Sequence, residues 1–240
     1  MCQMDKRRKL PFLLLFNILL LSATIASETT LLDVDFSAVE NLAGWTDVSQ
    51  KNPPNPNNYY VKEGALATAP TEFFGLSHPL RKPLVISEDA GRIVVECTFL
   101  QPQESRGRTT SVALTSRATT CPYNGGAFWP GKEDSGFLAT GNVYGIQSAN
   151  HLLYMREGRQ ITAFAPRTPF NFISGTDNVW TWRIVMDTAE KTLRLFTSKE
   201  AETPAVEMYG VNLDGEEFKA LWVSSFGTRY FKIKVLQIKE

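Results

Sequence analysis

Short runs of alternating apolar and polar residues dominate this 240-residue chain. The runs RIVVECTF (92–99) and VWTWRIVMD (179–187) each place their apolar side chains on one face of an extended backbone. Turn-forming sequences such as KEG (62–64), EDAG (88–91) and NLDGEE (212–217) separate such runs. No window of a dozen residues repeats at helical spacing. The pattern predicts an all-β chain, folded as an antiparallel two-sheet β-sandwich of the jelly-roll type.

Residues 1–26 have the pattern of a secretory signal peptide. A basic KRRK segment precedes an apolar run, and small residues follow at the expected cleavage site. A proline and an asparagine interrupt the run, which is then too short to span a membrane comfortably. Cleavage after Ala26 or Ser27 predicts a single exported domain of residues 28–240, extracellular or periplasmic, without a membrane span.

The charge balance argues against nucleic acid as a partner. Removing the signal peptide takes away four basic residues and one acidic residue, which leaves 21 basic against 24 acidic residues and a net charge of −3. Binding to phosphate backbones requires a concentrated basic face, and the sequence contains none.

The cysteines leave two alternatives open. Cys2 lies in the signal peptide, so that Cys97 and Cys121 remain, and an exported protein with two cysteines favours one disulfide. If strands 92–100 and 108–116 pair as a hairpin, however, Cys121 lies well past its end, and a bridge needs Cα atoms within about 7 Å. The alternative is a buried Cys97 thiol that packs as a small hydrophobic group.

Five segments carry a resemblance to a known superfamily. They are LLDVDFSAVENLAGW (31–45), the hairpin YYVKEGALAT (59–68), the long strand GRIVVECTF (91–99), the tryptophan-led hairpin VWTWRIVMDTAEKTLRLF (179–196) and the closing strand RYFKIKVLQI (229–238). Their order resembles a concanavalin A-like lectin/glucanase jelly roll, particularly its laminin G-like branch. The resemblance implies a protein that binds glycans, or an enzyme that cleaves polysaccharides as a hydrolase or as a lyase.

The hydrolase alternative requires two carboxylates that flank the scissile bond. The glucanases of this fold carry them on one strand as E-x-D-x-x-E, since alternate residues share a face. No glutamate of this chain has that spacing. The paired-carboxylate motif is therefore absent from the sequence.

The lyase alternative depends on one strand. YFKIKVLQ (230–237) is similar to the Y-F-K-x-G-x-Y-x-Q strand of jelly-roll alginate lyases, but it lacks the glycine and the second tyrosine. The chain has two histidines: His78 precedes a proline, as in an extended edge segment, and His151 follows Asn150 at an apparent hairpin tip. We interpret YFKIK as an ordinary closing strand with Phe231 pointing inward.

The binding alternative needs aromatic rings and polar groups on connections held by a rigid sandwich. Two connections qualify: NPPNPNNYY and CPYNGGAFWPGKED (121–134). Trp129 is the strongest candidate, although it could instead cover the edge of the core, whereas Trp45, Trp180 and Trp182 are expected in the core. The candidate ligand-binding residues are Tyr59, Tyr60, Tyr123, Asn124, Phe128 and Trp129.

Calcium is the one cofactor that the resemblance brings into consideration. The oxygen donors to consider are Asp33, Asp35, Asp134 and Asp214. No D-x-D-x-D run exists, and the closing strand carries lysines where related modules have an acidic residue. No motif supports a calcium site.

The sequence therefore favours an exported glycan-binding module without catalytic activity of its own. A polysaccharide hydrolase or lyase of the same fold is the first alternative. A structural or protein-contacting module of the cell envelope is the second.

Overall fold

The protein is built from two antiparallel eight-stranded sheets. The computed structural model describes residues 26–48, 59–68, 73–101, 108–117, 134–144, 147–156, 159–164, 168–169 and 178–239. The first sheet contains β1 (Ser27–Asp35), β3 (Tyr59–Lys62), β4 (Ala65–Thr68), β6 (Arg92–Gln101), β12 (Asn178–Asp187), β13 (Thr192–Phe196), β14 (Val206–Tyr209) and β16 (Arg229–Lys239). The second sheet contains β2 (Thr46–Asp47), β5 (Phe73–Val85), β7 (Arg108–Thr115), β8 (Gly136–Tyr144), β9 (Gln147–Arg156), β10 (Arg159–Phe164), β11 (Thr168–Pro169) and β15 (Glu217–Phe226).

This architecture confirms the predicted two-sheet β-sandwich. In the first sheet the path of pairing runs β14-β13-β12-β6-β16-β4-β3, with β1 also paired to β16. In the second sheet it runs β10-β9-β8-β7-β15-β5-β2, with β11 paired to β9. A short 3₁₀ helix (Glu88–Ala90) precedes β6. Among the described residues, no helix has the length and apolar character needed to cross a membrane.

Two of the hairpins expected from the sequence are present. β3 pairs with β4 around a two-residue turn, in which Glu63 and Gly64 have φ angles of 54° and 74°. Two positive φ angles are the requirement of the type I′ turn, whose twist matches that of the flanking strands. β12 likewise pairs with β13 after the DTAEKT turn.

The predicted hairpin between residues 92–100 and 108–116 is wrong. β6 lies in the first sheet, where β12 and β16 occupy its two edges, and β7 lies in the second sheet between β15 and β8. A strand has two edges, so β6 has no edge left for β7. The period of two fixes which side chains share a face, but it does not fix which strands are neighbours.

The main core lies between the sheets and is crossed by one tyrosine. Tyr230 has no exposed surface, and its hydroxyl lies 2.7 Å from the carbonyl of Ser224 and 3.1 Å from that of Ser111, both in the second sheet. The prediction that Phe231 points inward is wrong, because a bulge between Tyr230 and Lys232 shifts the alternation of β16 by one residue. Tyr230 therefore joins the two sheets through the core.

We expect Tyr230→Phe to lower the free energy of unfolding by about 1–2 kcal/mol, because it removes a donor from buried carbonyl groups. Urea unfolding of the variant and the wild type measures this difference. Tyr60→Phe is the matched control, since Tyr60 is 41% exposed and its hydroxyl should matter little. Equal stability of Tyr230→Phe and wild type would contradict the proposed link between the sheets.

Candidate functional site

The face of the second sheet that points away from the core is closed to solvent at its centre. The central row of paired residues across this face is Ser77, Trp222, Ala113, Leu138 and Leu153. Their neighbours along the strands belong to the main core, so these five point outward. All are nevertheless buried, Trp222 completely, and four of them form a hydrophobic cluster with Val48 that is separate from the main core.

A row of hydroxyl groups runs beside the apolar row. It consists of Ser224, Ser111 and Thr140, and it ends at His151. The Ser111 hydroxyl donates to Thr140 Oγ1 at 2.8 Å, while Ser224 Oγ is buried without a hydrogen-bond partner in the described part of the chain. Burial lowers the pKa of His151, which favours the neutral imidazole. His151 lies within β9 and not at a hairpin tip, which corrects the expectation from sequence.

A third row completes the described centre of this face. It contains Ala220, Thr115, Gly136 and Met155, all of them buried. We call these three rows the outer face. None of its residues is an aspartate or a glutamate, so the rows supply no pair of carboxylates for glycoside hydrolysis.

The segment that joins β7 to β8 contains the aromatic residues predicted to bind a ligand, and we call it the aromatic connection. A buried carboxylate holds its two ends together. Asp134 Oδ1 accepts hydrogen bonds from the backbone N–H of Arg117 at 2.7 Å and from the Ser116 hydroxyl at 3.0 Å. The Ser116 hydroxyl oxygen in turn accepts the N–H of Ser135 at 3.0 Å. We call these hydrogen bonds the clamp. Next to the clamp, a Cβ on Gly136 would lie 2.0 Å from the carbonyl oxygen of Leu114, so the close approach of the strands requires glycine there.

Sequence reasoning considered Asp134 as a metal donor and missed this structural role. A serine and an aspartate at the two ends of the connection were the available signal, but their contact depends on the pairing of β7 with β8. Tyr123, Asn124, Phe128 and Trp129 lie between these ends, outside the described residues. Their predicted role in ligand binding stays a prediction.

Tyr59 and Tyr60 lie in β3, near the edge of the first sheet. Tyr59 is half-buried and packs against the main core, and burial followed by the neighbouring Asp47 raises the pKa of its phenol. Tyr60 points the other way and is 41% exposed. Of the two predicted contact residues, Tyr60 thus has the surface available to a ligand.

Cys97 is a free, fully buried thiol. It lies on the inner face of β6, opposite Trp182 and Ile233 of the adjoining strands, and burial raises the pKa of the thiol. This arrangement favours the alternative of a small hydrophobic core residue. Cys121 lies outside the described residues, so the predicted Cys97–Cys121 bridge itself is not tested.

We expect both thiols of the mature protein to react with an alkylating reagent in denaturant without prior reduction, because Cys97 is free in the structure. Mass spectrometry with and without reductant measures this. Alkylation that occurs only after reduction would establish the bridge instead.

The acidic residues considered for calcium do not converge. The described part of the chain contains no group of three or more histidine, cysteine, aspartate or glutamate side chains placed to hold a metal ion. Asp35 Oδ1 accepts hydrogen bonds from the backbone and the hydroxyl of Ser37. Asp214 pairs with Lys191 at 3.2 Å, and Asp134 forms the clamp described above.

The fold is similar to that of lectin-like β-sandwich domains. Solved structures with this likeness include the CBM2 module of the evolved Dit of Lactobacillus casei BL23 phage J-1, with a TM-score of 0.58, 8% identity, and coverage of 90% of this chain and 98% of that one. A legume lectin-like domain from Entamoeba histolytica gives a TM-score of 0.53 at 12% identity, covering 82% and 90% of the two chains.

LamAcat from Zobellia galactanivorans gives a TM-score of 0.51 at 13% identity, covering 88% and 98% of the two chains. No protein-family model matches the sequence, and neither does any curated protein. At these identities the likeness defines the fold alone, and it agrees with the β-sandwich predicted from the sequence.

Proposed function

We propose that this protein is a glycan-binding module of the lectin-like class, without chemistry of its own. The aromatic connection between β7 and β8 makes the main contact, with Trp129 as its central residue. Tryptophan and tyrosine rings stack on the C–H faces of sugars, while asparagine and backbone groups bond to the hydroxyls. Tyr123, Asn124 and Phe128 supply the further contacts, and Tyr60 is a separate exposed aromatic residue that can contact a glycan.

The observation that carries this proposal is the clamp at Asp134. Burying a carboxylate is costly unless it accepts hydrogen bonds. Asp134 lies buried at one end of the aromatic connection, and the Ser116 hydroxyl and the Arg117 N–H at the other end donate to it. Fixing both ends of a connection lowers the conformational entropy that its residues lose when they bind a ligand. A long aromatic connection with anchored ends suits a binding surface.

Two observations favour binding over catalysis. The outer face, which adjoins the clamp, carries no carboxylate in its three rows. Tyr230, the tyrosine of the lyase-like strand, is buried between the sheets, and burial raises the pKa of its phenol well above the ordinary value. A phenol in that position has no access to a polymer substrate and does not ionise to act as a base.

The structural likenesses agree with this proposal. One neighbour is called a CBM2 module and another a legume lectin-like domain. We place the protein in the laminin G-like branch on the strength of its opening strand and its tryptophan-led hairpin. A module of this branch that contacts proteins of the cell envelope is the alternative if no glycan binds.

Export is part of the proposal. β1 begins at Ser27, directly after the first predicted cleavage position, so removal of the signal peptide would leave the first strand intact. Amino-terminal sequencing of the protein secreted by its host should find Ser27 or Glu28 first. A mature protein that still begins at Met1 would contradict export.

A glycan array tests the proposed function. Wild-type protein should bind a restricted set of glycans, and Trp129→Ala should weaken that binding about tenfold or more, as expected for a central aromatic contact. Trp129→Phe keeps a ring and should retain part of the affinity. If Trp129→Ala binds as well as wild type, the assigned site is wrong, and if the array stays blank, so is the assigned function.

A further inference from the structure

We propose that a second site, distinct from the aromatic connection, binds a single neutral pyranose ring at the end of a glycan. This inference rests on the proposed glycan-binding function and names a ligand class for a new position. The site is an open cavity of about 730 Å³ between the segment that follows β1 and strand β5. None of its described lining residues belongs to the outer face.

Trp45 forms the aromatic wall of this cavity. The sequence predicted a core position, and Trp45 does pack against the core, with its ring 5.8 Å from that of Phe36, but it remains half-buried and lines the cavity. The ring of His78 meets it edge-on at 5.0 Å. An aromatic side chain that faces solvent at one side and is fixed by packing at the other is a suitable platform for a sugar ring.

His78 is held in one orientation. Its Nδ1 lies 2.7 Å from the carbonyl oxygen of Pro79, which can only accept, so Nδ1 donates a hydrogen bond to it. The other ring nitrogen is Nε2. It faces Gly44, where a Cβ would approach it to 3.2 Å and where the φ angle of +87° also favours glycine. A side chain at position 44 would therefore crowd Nε2, and glycine avoids that contact.

The polar rim carries both signs of charge. Asp33, Asp35 and Glu40 are exposed carboxylates, and Arg81 and Lys232 are exposed cations. Lys232 lies 3.9 Å from Asp33, a long contact, and Arg81 has no ion pair in the described part of the chain. Three carboxylates would repel an anionic ligand, and two basic groups would repel a cationic one. The hydroxyls of a neutral sugar can donate to the carboxylates and accept from the basic groups.

Asn41 adds a directed amide to this rim. Its side-chain oxygen accepts the backbone N–H of Ala43 at 2.9 Å, which fixes the amide plane and leaves the NH₂ group to donate. An aromatic wall, an imidazole in a fixed orientation, an amide donor and charges of both signs together match a polyhydroxylated ring better than any single-charge ligand.

The test uses the mature protein with ¹⁵N-labelled tryptophan and follows its indole N–H signals by NMR. Trp45→Phe identifies the Trp45 signal by its disappearance. The probes are the methyl glycosides of glucose, galactose and mannose, with glucuronic acid and glucosamine as the charged comparisons. At least one neutral glycoside should shift the Trp45 signal saturably, and the charged sugars should bind more weakly.

Arg81→Ala should weaken the binding of that glycoside about tenfold, through the loss of one charged hydrogen-bond donor. Lys82→Ala is the matched control, because Lys82 is an exposed neighbour that does not line the cavity. If intact glycans bind on the array while no neutral glycoside moves the Trp45 signal, the second site is wrong and the proposed function stands. If no glycan binds at all, the proposed function and the second site are both wrong. A preference for a charged sugar would overturn the assignment of a neutral ring as the ligand.

Discussion

Replacing Trp222 with alanine is expected to lower the free energy of unfolding by about 3–5 kcal/mol, the usual cost of removing a fully buried tryptophan. Trp222 lies on the outer face, on the side of the second sheet opposite the main core, yet it has no exposed surface. Urea unfolding, followed by circular dichroism because the substitution alters the fluorescence, measures the change.

The same substitution tests whether the outer face is closed in solution. If this face were an open groove, Trp222 would already be hydrated in the folded protein, and the alanine variant would lose less than about 1 kcal/mol. Trp222→Phe retains most of the ring and should fall between alanine and wild type. A nearly unchanged alanine variant would show that the face is open, and a ligand could then occupy it.

Replacing Asp134 with alanine is expected to cost about 2–3 kcal/mol of stability, because the N–H of Arg117 and the hydroxyl of Ser116 lose a charged acceptor in a buried position. Glycan binding should weaken in parallel, since the ends of the aromatic connection are no longer held. Urea unfolding gives the first quantity, and titration with a glycan identified on the array gives the second.

Asp134→Asn tests the charge of the clamp separately from its geometry, because asparagine keeps the shape of the side chain and removes its charge. The amide keeps one acceptor oxygen, so this variant should retain more stability and more affinity than the alanine variant. An alanine variant that is destabilised but binds the glycan with wild-type affinity would show that the clamp has no part in recognition.

Local features of the fold were predictable from the sequence, because they depend on neighbouring residues. The alternation in VWTWRIVMD fixed Trp182 and Ile184 as core positions, and the Glu63-Gly64 pair marked a two-residue turn. The two sheets followed from the number and length of the strands.

The arrangement of strands was not predictable in the same way. Whether β6 pairs with β7 or with β12 and β16 depends on contacts between distant parts of the chain, and the alternating pattern is equally compatible with either. One bulge after Tyr230 was sufficient to exchange the inward positions of Tyr230 and Phe231.

The candidate sites show the same division. Aromatic residues in an irregular segment marked the β7–β8 connection from the sequence alone. The contact of Asp134 with Ser116, by contrast, appears only once β7 and β8 are paired. Trp45 and His78 are 33 residues apart and meet because the segment after β1 returns along β5, a relation that neither residue's local sequence indicates.

The most direct test of the central claim is a measurement of binding and turnover on the same polymers. The mature protein is incubated with a panel of polysaccharides, and retention on each polymer is recorded together with new reducing ends and the absorbance of unsaturated products. We expect retention on at least one polymer with no product from any of them. Release of products from any polymer, at a rate proportional to the amount of protein, would contradict it.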